Sequence, residues 1–572
     1  MKIIITMNIW KFLKIVLLYL IVTLNLQCNA FTGRGLMYPG RTDFFELSII
    51  HMNDFHARFE EVSPQAGTCR RDKGEQCIGG LPRILTASRQ LLNERPNAIF
   101  LNAGDHYQGT LWYNVHRWNA TAEFLNMLPY DVITIGNHEF DDGIAGLVPL
   151  LKAINVPVVV TNIDTANEPT IQNLMENSTI VHRGGKKIGI IGVILQSTPE
   201  IATTENLIFL DEVETINLEA EKLKKEENVE IIIVLSHCGL EVDRKIAAEC
   251  PLVDVIVGGH SHTFLYSGTQ PFIDEPEDNY PVVVTQKYTN RTVLIVQAAA
   301  FTKYLGNLTV WFNENGEIED WDGNPILLDD TIEQDLNMLN ALVPWKIDVD
   351  TIADKIIGQS RVELRKDCRF GECNIGNFIT DAMIESYIHR IENKNYWTYA
   401  AIAVMNGGGI RSPINSINGD ITYGDLVMAQ PFENTWDVIE LQGKDLRQTL
   451  EVTVARTKSK DHWSGYSFLV WSGVKVVYNM SRNAYSRVVE VKVRCQKCEI
   501  PVYEDLIDNK WYRIVAPTFL VEGGDGHSII ANNHRNHEVG QVDIDQLIKF
   551  VEKMTPLIYG KEGRITFLND HK

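Results

Sequence analysis

The chain has 572 residues, with 53 Lys+Arg against 74 Asp+Glu and a net charge of −21. An apolar share of 45% over this length can bury large cores and favours two or more domains. The acidic balance excludes a general nucleic-acid binder, which needs Lys/Arg surfaces, so any anion site has to be built locally.

Residues 1–30 read as a signal rather than as fold. Lys2, Lys11 and Lys14 flank an apolar core at 15–22, and Cys28-Asn29-Ala30 offers small residues for cleavage. This is the pattern of a secretory signal peptide, with maturation after Ala30; the apolar run is short for a membrane span. Eight cysteines then remain, an even number that points to disulfides in an oxidising compartment. Cys69/Cys77, Cys368/Cys373 and Cys495/Cys498 are local pairs, which leaves Cys238 and Cys250 over. Cys495 and Cys498 also have the spacing of half a zinc ribbon, but there is no second such pair. Sequons at Asn119, Asn177, Asn290, Asn307 and Asn479 fit glycosylation in the secretory route. The chain stops at His571-Lys572, without the apolar tail of roughly 10–20 residues that a lipid-anchor signal requires. The expected product is secreted and extracellular, with no membrane anchor.

From Phe45 to about Phe312, apolar runs alternate with amphipathic stretches. The runs at 47–52, 98–102, 131–135, 156–160, 187–193, 231–235 and 254–257 read as buried strands. Stretches at 81–95, 119–128, 146–154 and 215–228 read as helices, so residues 31–330 form an α/β domain. A helix is expected over 329–350, with Leu336, Leu339 and Leu342 on one side and a bend or break at Pro344. It links (331–351) to a second mixed domain at 352–572.

Five of the apolar runs end in metal-ligating residue types. Asp54-Phe55-His56 follows the first, Gly104-Asp105-His106 the second, and Gly136-Asn137-His138-Glu139-Phe140-Asp141 the third. Ser236-His237 ends a fourth, and Gly258-Gly259-His260-Ser261-His262 a fifth. In parallel sheets, ligands collect beyond the carboxyl ends of strands. Carboxylates and imidazoles gathered there would repel or stay unpaired unless a cation compensated them. Mixed Asp, His and Asn donors suit Zn²⁺ or Mn²⁺-like ions.

These five blocks resemble those of the calcineurin-like metallophosphoesterases. In the second half, Asn406-Gly407-Gly408-Gly409-Ile410-Arg411, Pro431-Phe432 and Gly523-Gly524-Asp525-Gly526 resemble the substrate domain of the 5′-nucleotidase family. That family includes secreted apyrases of blood-feeding arthropods and lipid-anchored ecto-5′-nucleotidases. The resemblance implies a four-layer α/β metallophosphoesterase domain, a linker helix and a C-terminal substrate domain. It also implies two divalent ions, with zinc expected first and manganese, magnesium or calcium as alternatives. One ion would be held by Asp54, His56, Asp105 and His262, and the other by Asp105, Asn137, His237 and His260. His262 departs from relatives, which often place an amide there. His138 and Asp141 match the catalytic dyad, with Asp141 orienting the imidazole.

By the same resemblance, Arg58, Arg369 and Arg411 would bind phosphate, since guanidinium groups take it bidentately. Phe432 and Phe519 would stack on the base, Asp525 would bond the ribose and Asn406 would position the base. Glu433-Asn434 departs from the small residues of many relatives. A hinge near 350–357 would swing the second domain between open and closed forms. The implied activity is hydrolysis of extracellular ATP and ADP to AMP and phosphate, which in saliva would remove the ADP that activates platelets. The alternatives are an AMP-specific 5′-nucleotidase and an inactive nucleotide- or integrin-binding protein. Nucleotides are the expected partners, and the protein is expected as a monomer or homodimer.

Overall fold

In the computed structural model, residues 43–569 are described, apart from 65, 68, 70, 72–73, 201, 391–395, 416–418, 433, 456–466 and 539. The expected signal segment, Glu433 and the last three residues lie outside the described part.

Five strands carry the site: β1 (Phe45–Met52), β2 (Ile99–Asn102), β3 (Val132–Ile133), β4 (Ile231–His237) and β5 (Val255–Val257). β1, β2 and β3 run parallel in one six-stranded sheet, beside the antiparallel Tyr304–Phe312. β4 and β5 run parallel in a second six-stranded sheet. The two sheets share a core. Leu47 and Ile49 of β1 and Leu101 of β2 pack with Ile232, Val234 and Val255 of the other sheet, together with Ile216, Leu223 and Ile246 from helices. The opposite face of β1, Ile50 and Met52, packs with Leu81, Ile84 and Leu85 of the helix Leu81–Glu94. The result is helix on sheet on sheet on helix, the expected four-layer α/β domain. Strands buried on both faces read as mostly apolar runs, which is why β4, and β1 despite its Ser48 and His51, were visible as strands. The run at 156–160 forms only isolated bridges, Ile133 with Val158 and Val159 with Glu176.

The linker helix is Leu336–Ala353, capped by the Asp335 carboxylate on Met338 N. It starts later than expected and buries Met338, Leu342 and Val349, while Leu336 is 73% exposed. Positions 338, 342, 345 and 349 recur at helical spacing, so the core stripe runs through Trp345 and not through Leu336. Pro344 does not break the helix. It sits on the exposed face, as does Asn340, whose carbonyl loses its partner and is left to water.

The second domain is built on a five-stranded sheet, in the order Leu469–Ser472, Ile402–Asn406, Trp511–Pro517, Trp436–Gln442, Arg535–Glu538, and on a separate four-stranded sheet. Among the described residues no helix is long and apolar enough to cross a membrane.

Three disulfides form, Cys69–Cys77, Cys368–Cys373 and Cys495–Cys498, so the last pair is a disulfide and not half of a zinc ribbon. Cys238 and Cys250 are buried free thiols. They sit at opposite ends of the helix Leu240–Glu249, a span of about 15 Å, where a disulfide needs Cα atoms about 4.4–6.8 Å apart. Of the sequons, Asn119, Asn177 and Asn290 are exposed. Asn307 is not available, because it is buried in mid-strand within Tyr304–Phe312.

Candidate metal centre and interdomain cleft

The ligand types emerge from the carboxyl ends of the five strands through strained loops. Asp54, His56, Asp105, His260 and His262 all have φ between 50° and 71°. The left-handed region costs a side-chain-bearing residue roughly 1–2 kcal/mol. Five such residues in one site mark a function that the surrounding structure must support.

That support is visible. Glu139, wholly buried, accepts hydrogen bonds from the backbone N–H groups of Asp105, His106, Tyr107 and Gly136 at 2.6–3.1 Å. It thereby ties the loop after β2 to the loop after β3. Asn53 donates to Asp54 Oδ2 and to the Ala299 carbonyl, both at 2.6 Å. The sequence reading gave neither residue a role. Glu139 lay inside a recognised motif, but its acceptor work is visible only in space.

Asp54, His56, Asp105 and His262 offer ligand atoms within 4.8 Å of one another, and so do Asp105, His237 and His260. Asp105 belongs to both groups. His56 Nδ1 lies 3.2 Å from the Tyr107 and Gln108 carbonyls, and His237 Nδ1 lies 2.6 Å from the Ala103 carbonyl. Carbonyls only accept, so each Nδ1 carries a proton and each Nε2 faces the centre. The His56 and His262 Nε2 atoms approach to 3.0 Å, and His262 Nε2 is 3.2 Å from Asp54 Oδ1. Asn137 Oδ1 lies 2.8 Å from His260 Nδ1. His237 Nε2 is buried without a hydrogen-bond partner, 3.1 Å from Asp105 Oδ2. Two converging sets of O and N donors with an orphaned buried nitrogen fit two divalent ions.

The electrostatics divide the ligands. Burial pushes Asp54 up to about 7. Burial pushes His237 down, but Asp105 outweighs it and raises the imidazole to about 10. Burial and then Arg411 push His56 well below the usual imidazole range. Burial likewise holds His262 well below that range, with Arg411 and Arg369 adding to it. His56 and His262 are thereby held neutral, the form in which an imidazole ligates, whereas His237 and Asp54 would give up protons on binding ions.

His138 Nδ1 lies 2.8 Å from Asp141 Oδ2, and the His138 backbone N–H donates to Asp105 Oδ1 at 3.0 Å. Burial lowers the His138 imidazole, and Asp141 and Asp105 more than offset this, so its pKa is raised. The dyad opens onto a cleft of about 460 Å³. From the first domain, Asp105, Asn137, His138, His260 and His262 line it; from the second come Arg369, Asn406, Arg411, Phe432, Phe519 and Asp525. Asn406 Nδ2 donates to Asp525 Oδ2 at 2.7 Å, and the Phe519 N–H donates to Asn434 Oδ1 at 3.2 Å. Gly524 lets the Phe519 ring seat, because a Cβ there would collide with it. Arg411 Nη2 reaches His56 Nε2 at 3.1 Å. The Phe432 ring stacks on the His138 imidazole, at 5.4 Å and 17°. The two domains therefore meet across the cleft in a closed arrangement.

Arg58 differs from expectation. Its Nη1 donates to the His56 and Gly109 carbonyls, its guanidinium lies 4.7 Å over Phe301, and it does not line the cleft. The left-handed turn at His56 and Ala57 sends the side chain behind the ligand loop. It lines a separate cavity of about 550 Å³ beside the linker helix.

Residues 47–264 match the calcineurin-like phosphoesterase family and residues 356–532 the 5′-nucleotidase C-terminal domain. An apyrase of Tabanus yao is 44% identical over 527 residues, 92% of this chain and 94% of that protein. The chain belongs to the 5′-nucleotidase family. A 5′-nucleotidase of Rattus norvegicus is 40% identical over 91% of both chains. A 5′-nucleotidase precursor of Thermus thermophilus has the same two-domain structure, with a TM-score of 0.82 at 33% identity over 92% of this chain and 100% of that one. As a member of this 5′-nucleotidase family the protein is a metal-dependent phosphohydrolase.

Proposed function

We propose that the protein is a secreted apyrase-type enzyme that hydrolyses extracellular ATP and ADP to AMP and phosphate, and that it limits platelet aggregation during blood feeding. The observation that carries the reading is one cleft lined by members of both metal-ligand groups, Asp105, Asn137, His260 and His262, and by Arg369, Arg411, Phe432 and Phe519. The similarity to an insect apyrase supports the choice of diphosphate and triphosphate substrates, and the signal-like N-terminus supports secretion.

Asp54, His56, Asp105 and His262 would hold one divalent ion, and Asp105, Asn137, His237 and His260 the other, with zinc the first expectation. When bound, two such ions supply activated water and neutralise charge developing on the phosphoryl group. The chain's own residues do the rest. Arg369 and Arg411 bind the phosphate oxygens and hold the phosphorus in line. His138, oriented by Asp141, which favours its protonated form, donates to the transferred group or the leaving oxygen. Phe432 and Phe519 hold the base, with Asp525 on the ribose and Asn406 beside the base. In the arrangement described Phe432 lies on His138, so admitting a base requires the second domain to shift.

A second reading, an AMP-hydrolysing 5′-nucleotidase, draws on the similarity to the rat protein. The test is phosphate release from ATP, ADP and AMP with Zn²⁺, Mn²⁺, Mg²⁺ or Ca²⁺ in turn. Release from ATP and ADP with AMP accumulating is expected; release from AMP alone establishes the second reading instead.

A further inference from the structure

Lys366 was not among the sequence-derived site residues, yet it sits where the two domains meet at the first ligand group. It belongs to the second domain. Leu364 and Ile414 exchange backbone hydrogen bonds at 3.0 and 3.1 Å, which sets the 364–366 segment beside the 411–414 segment. Lys366 Nζ donates to the Arg411 carbonyl at 2.9 Å. The Arg411 N–H donates to the Ala429 carbonyl at 2.9 Å, so both backbone polar groups of Arg411 are held.

The same ammonium lies 5.1 Å from the centroid of Phe301, a residue of the first domain. Phe301 is fixed from its own side. Its N–H donates to the Asp54 carbonyl at 2.8 Å, and its ring lies 5.5 Å from His56 and 5.1 Å from His262. Arg58 also lies over the ring, at 4.7 Å. Phe301 is thus a ring packed on two ligand imidazoles and presented to a lysine from the other domain. Among the described residues no carboxylate pairs with that lysine. Burial and the nearby Arg369, Arg411 and Arg58 lower its proton affinity, and the amine keeps N–H donors in either form, though stronger ones when charged.

We propose that Lys366, seated on Phe301, is a positioning residue that holds the Arg411 backbone so that the guanidinium stays at the first metal group and meets the substrate phosphate. The assignment rests on the reading of Arg411 as a phosphate ligand. Ordering an arginine on a ligand costs backbone as well as rotamer freedom, and a backbone already fixed leaves only the rotamer part to be lost when substrate arrives. The contact to Phe301 spans the domains, so the arginine is held best when they are closed.

The test uses the metal-loaded full chain with Lys366→Met, which keeps the apolar stem and removes the donor, and with Lys366→Arg, which keeps one. Lys366→Met is expected to raise KM for the nucleotide that the wild type hydrolyses by about tenfold, with kcat within about twofold, as for loss of one uniform binding interaction. Binding of inorganic phosphate, measured by calorimetry, weakens to the same extent. Lys366→Arg restores both, and the melting temperatures of the variants stay together. In an Arg411→Ala background, Lys366→Met adds nothing, because the lysine acts through the arginine. Unchanged phosphate affinity in Lys366→Met overturns the proposal, and so does a tenfold loss that persists without Arg411. The phosphate arm does not need turnover. A wild type that hydrolyses no nucleotide therefore overturns the proposed function, while the role of Lys366 is still decided by binding.

Discussion

The two walls of the cleft are held by different means. On the metal side, five left-handed residues are kept in place by buried hydrogen bonds, with Glu139 alone taking four backbone N–H groups. On the substrate side, the Phe519 N–H and Asn406 Nδ2 each donate to one neighbouring side chain, and Phe432 rests on a residue of the opposite domain. The first wall stores strain in a rigid frame, which suits a site whose donors must hold ions in fixed geometry. The second wall can adjust. A base stacks on any flat ring, so the clamp tolerates movement that the metal centre does not.

Four changes break or sharpen that contrast, in falling order of effect. Asp105→Asn removes the carboxylate common to both ligand groups. Activity is expected to fall on the order of a thousandfold or more, because several kcal/mol of charge stabilisation goes with the ions; metal content of the purified variant is measured alongside. Glu139→Gln turns an amide donor toward the N–H groups it now accepts from. Stability is expected to drop by about 2–4 kcal/mol in a urea titration, from two or so lost buried hydrogen bonds.

Asp141→Asn leaves His138 without the carboxylate that raises its pKa. A raised pKa means the imidazolium persists to higher pH, so in the variant the alkaline limb of the rate profile should move to lower pH. kcat at neutral pH should fall by about a hundredfold. Phe519→Ala is the mildest. KM for nucleotides rises about tenfold, the value of one stacked base, while a base-free phosphomonoester is turned over as by the wild type. An equal loss on both substrates would show that Phe519 supports the fold of the cleft and not base binding.

Much of the metal wall was legible in the sequence. β1 and β4 are buried on both faces and so appear as largely apolar runs, and Asp54, His56, Asp105, Asn137, His237, His260 and His262 each lie at or just beyond the end of an apolar run. Strand ends bring residues together in a way that the order of runs already implies. The linker helix was legible only in part. Leu336 looked like core because it is apolar, but the stripe that packs runs through Met338, Leu342, Trp345 and Val349, and only the neighbours decide which stripe is covered. Pro344 was read as a break because the chain pattern does not tell a solvent-facing position from a buried one.

The sequence by itself determined the α/β class and the gathering of the ligand types, because these depend on local patterns: period, strand ends and residue type; the pairing of His138 with Asp141 was implied by the family resemblance. Tertiary structure alone decided the rest. It turned Arg58 away behind His56, kept Cys238 and Cys250 apart at the two ends of one helix, and buried Asn307 in a central strand. It also brought Phe301 and Lys366 to the site from segments with no chemical signature, and gave Glu139, inside a recognised motif, its role as an acceptor. The reason is physical: a hydrogen bond or a ring contact between residues far apart in the chain is set by how whole elements pack, and no local pattern records it.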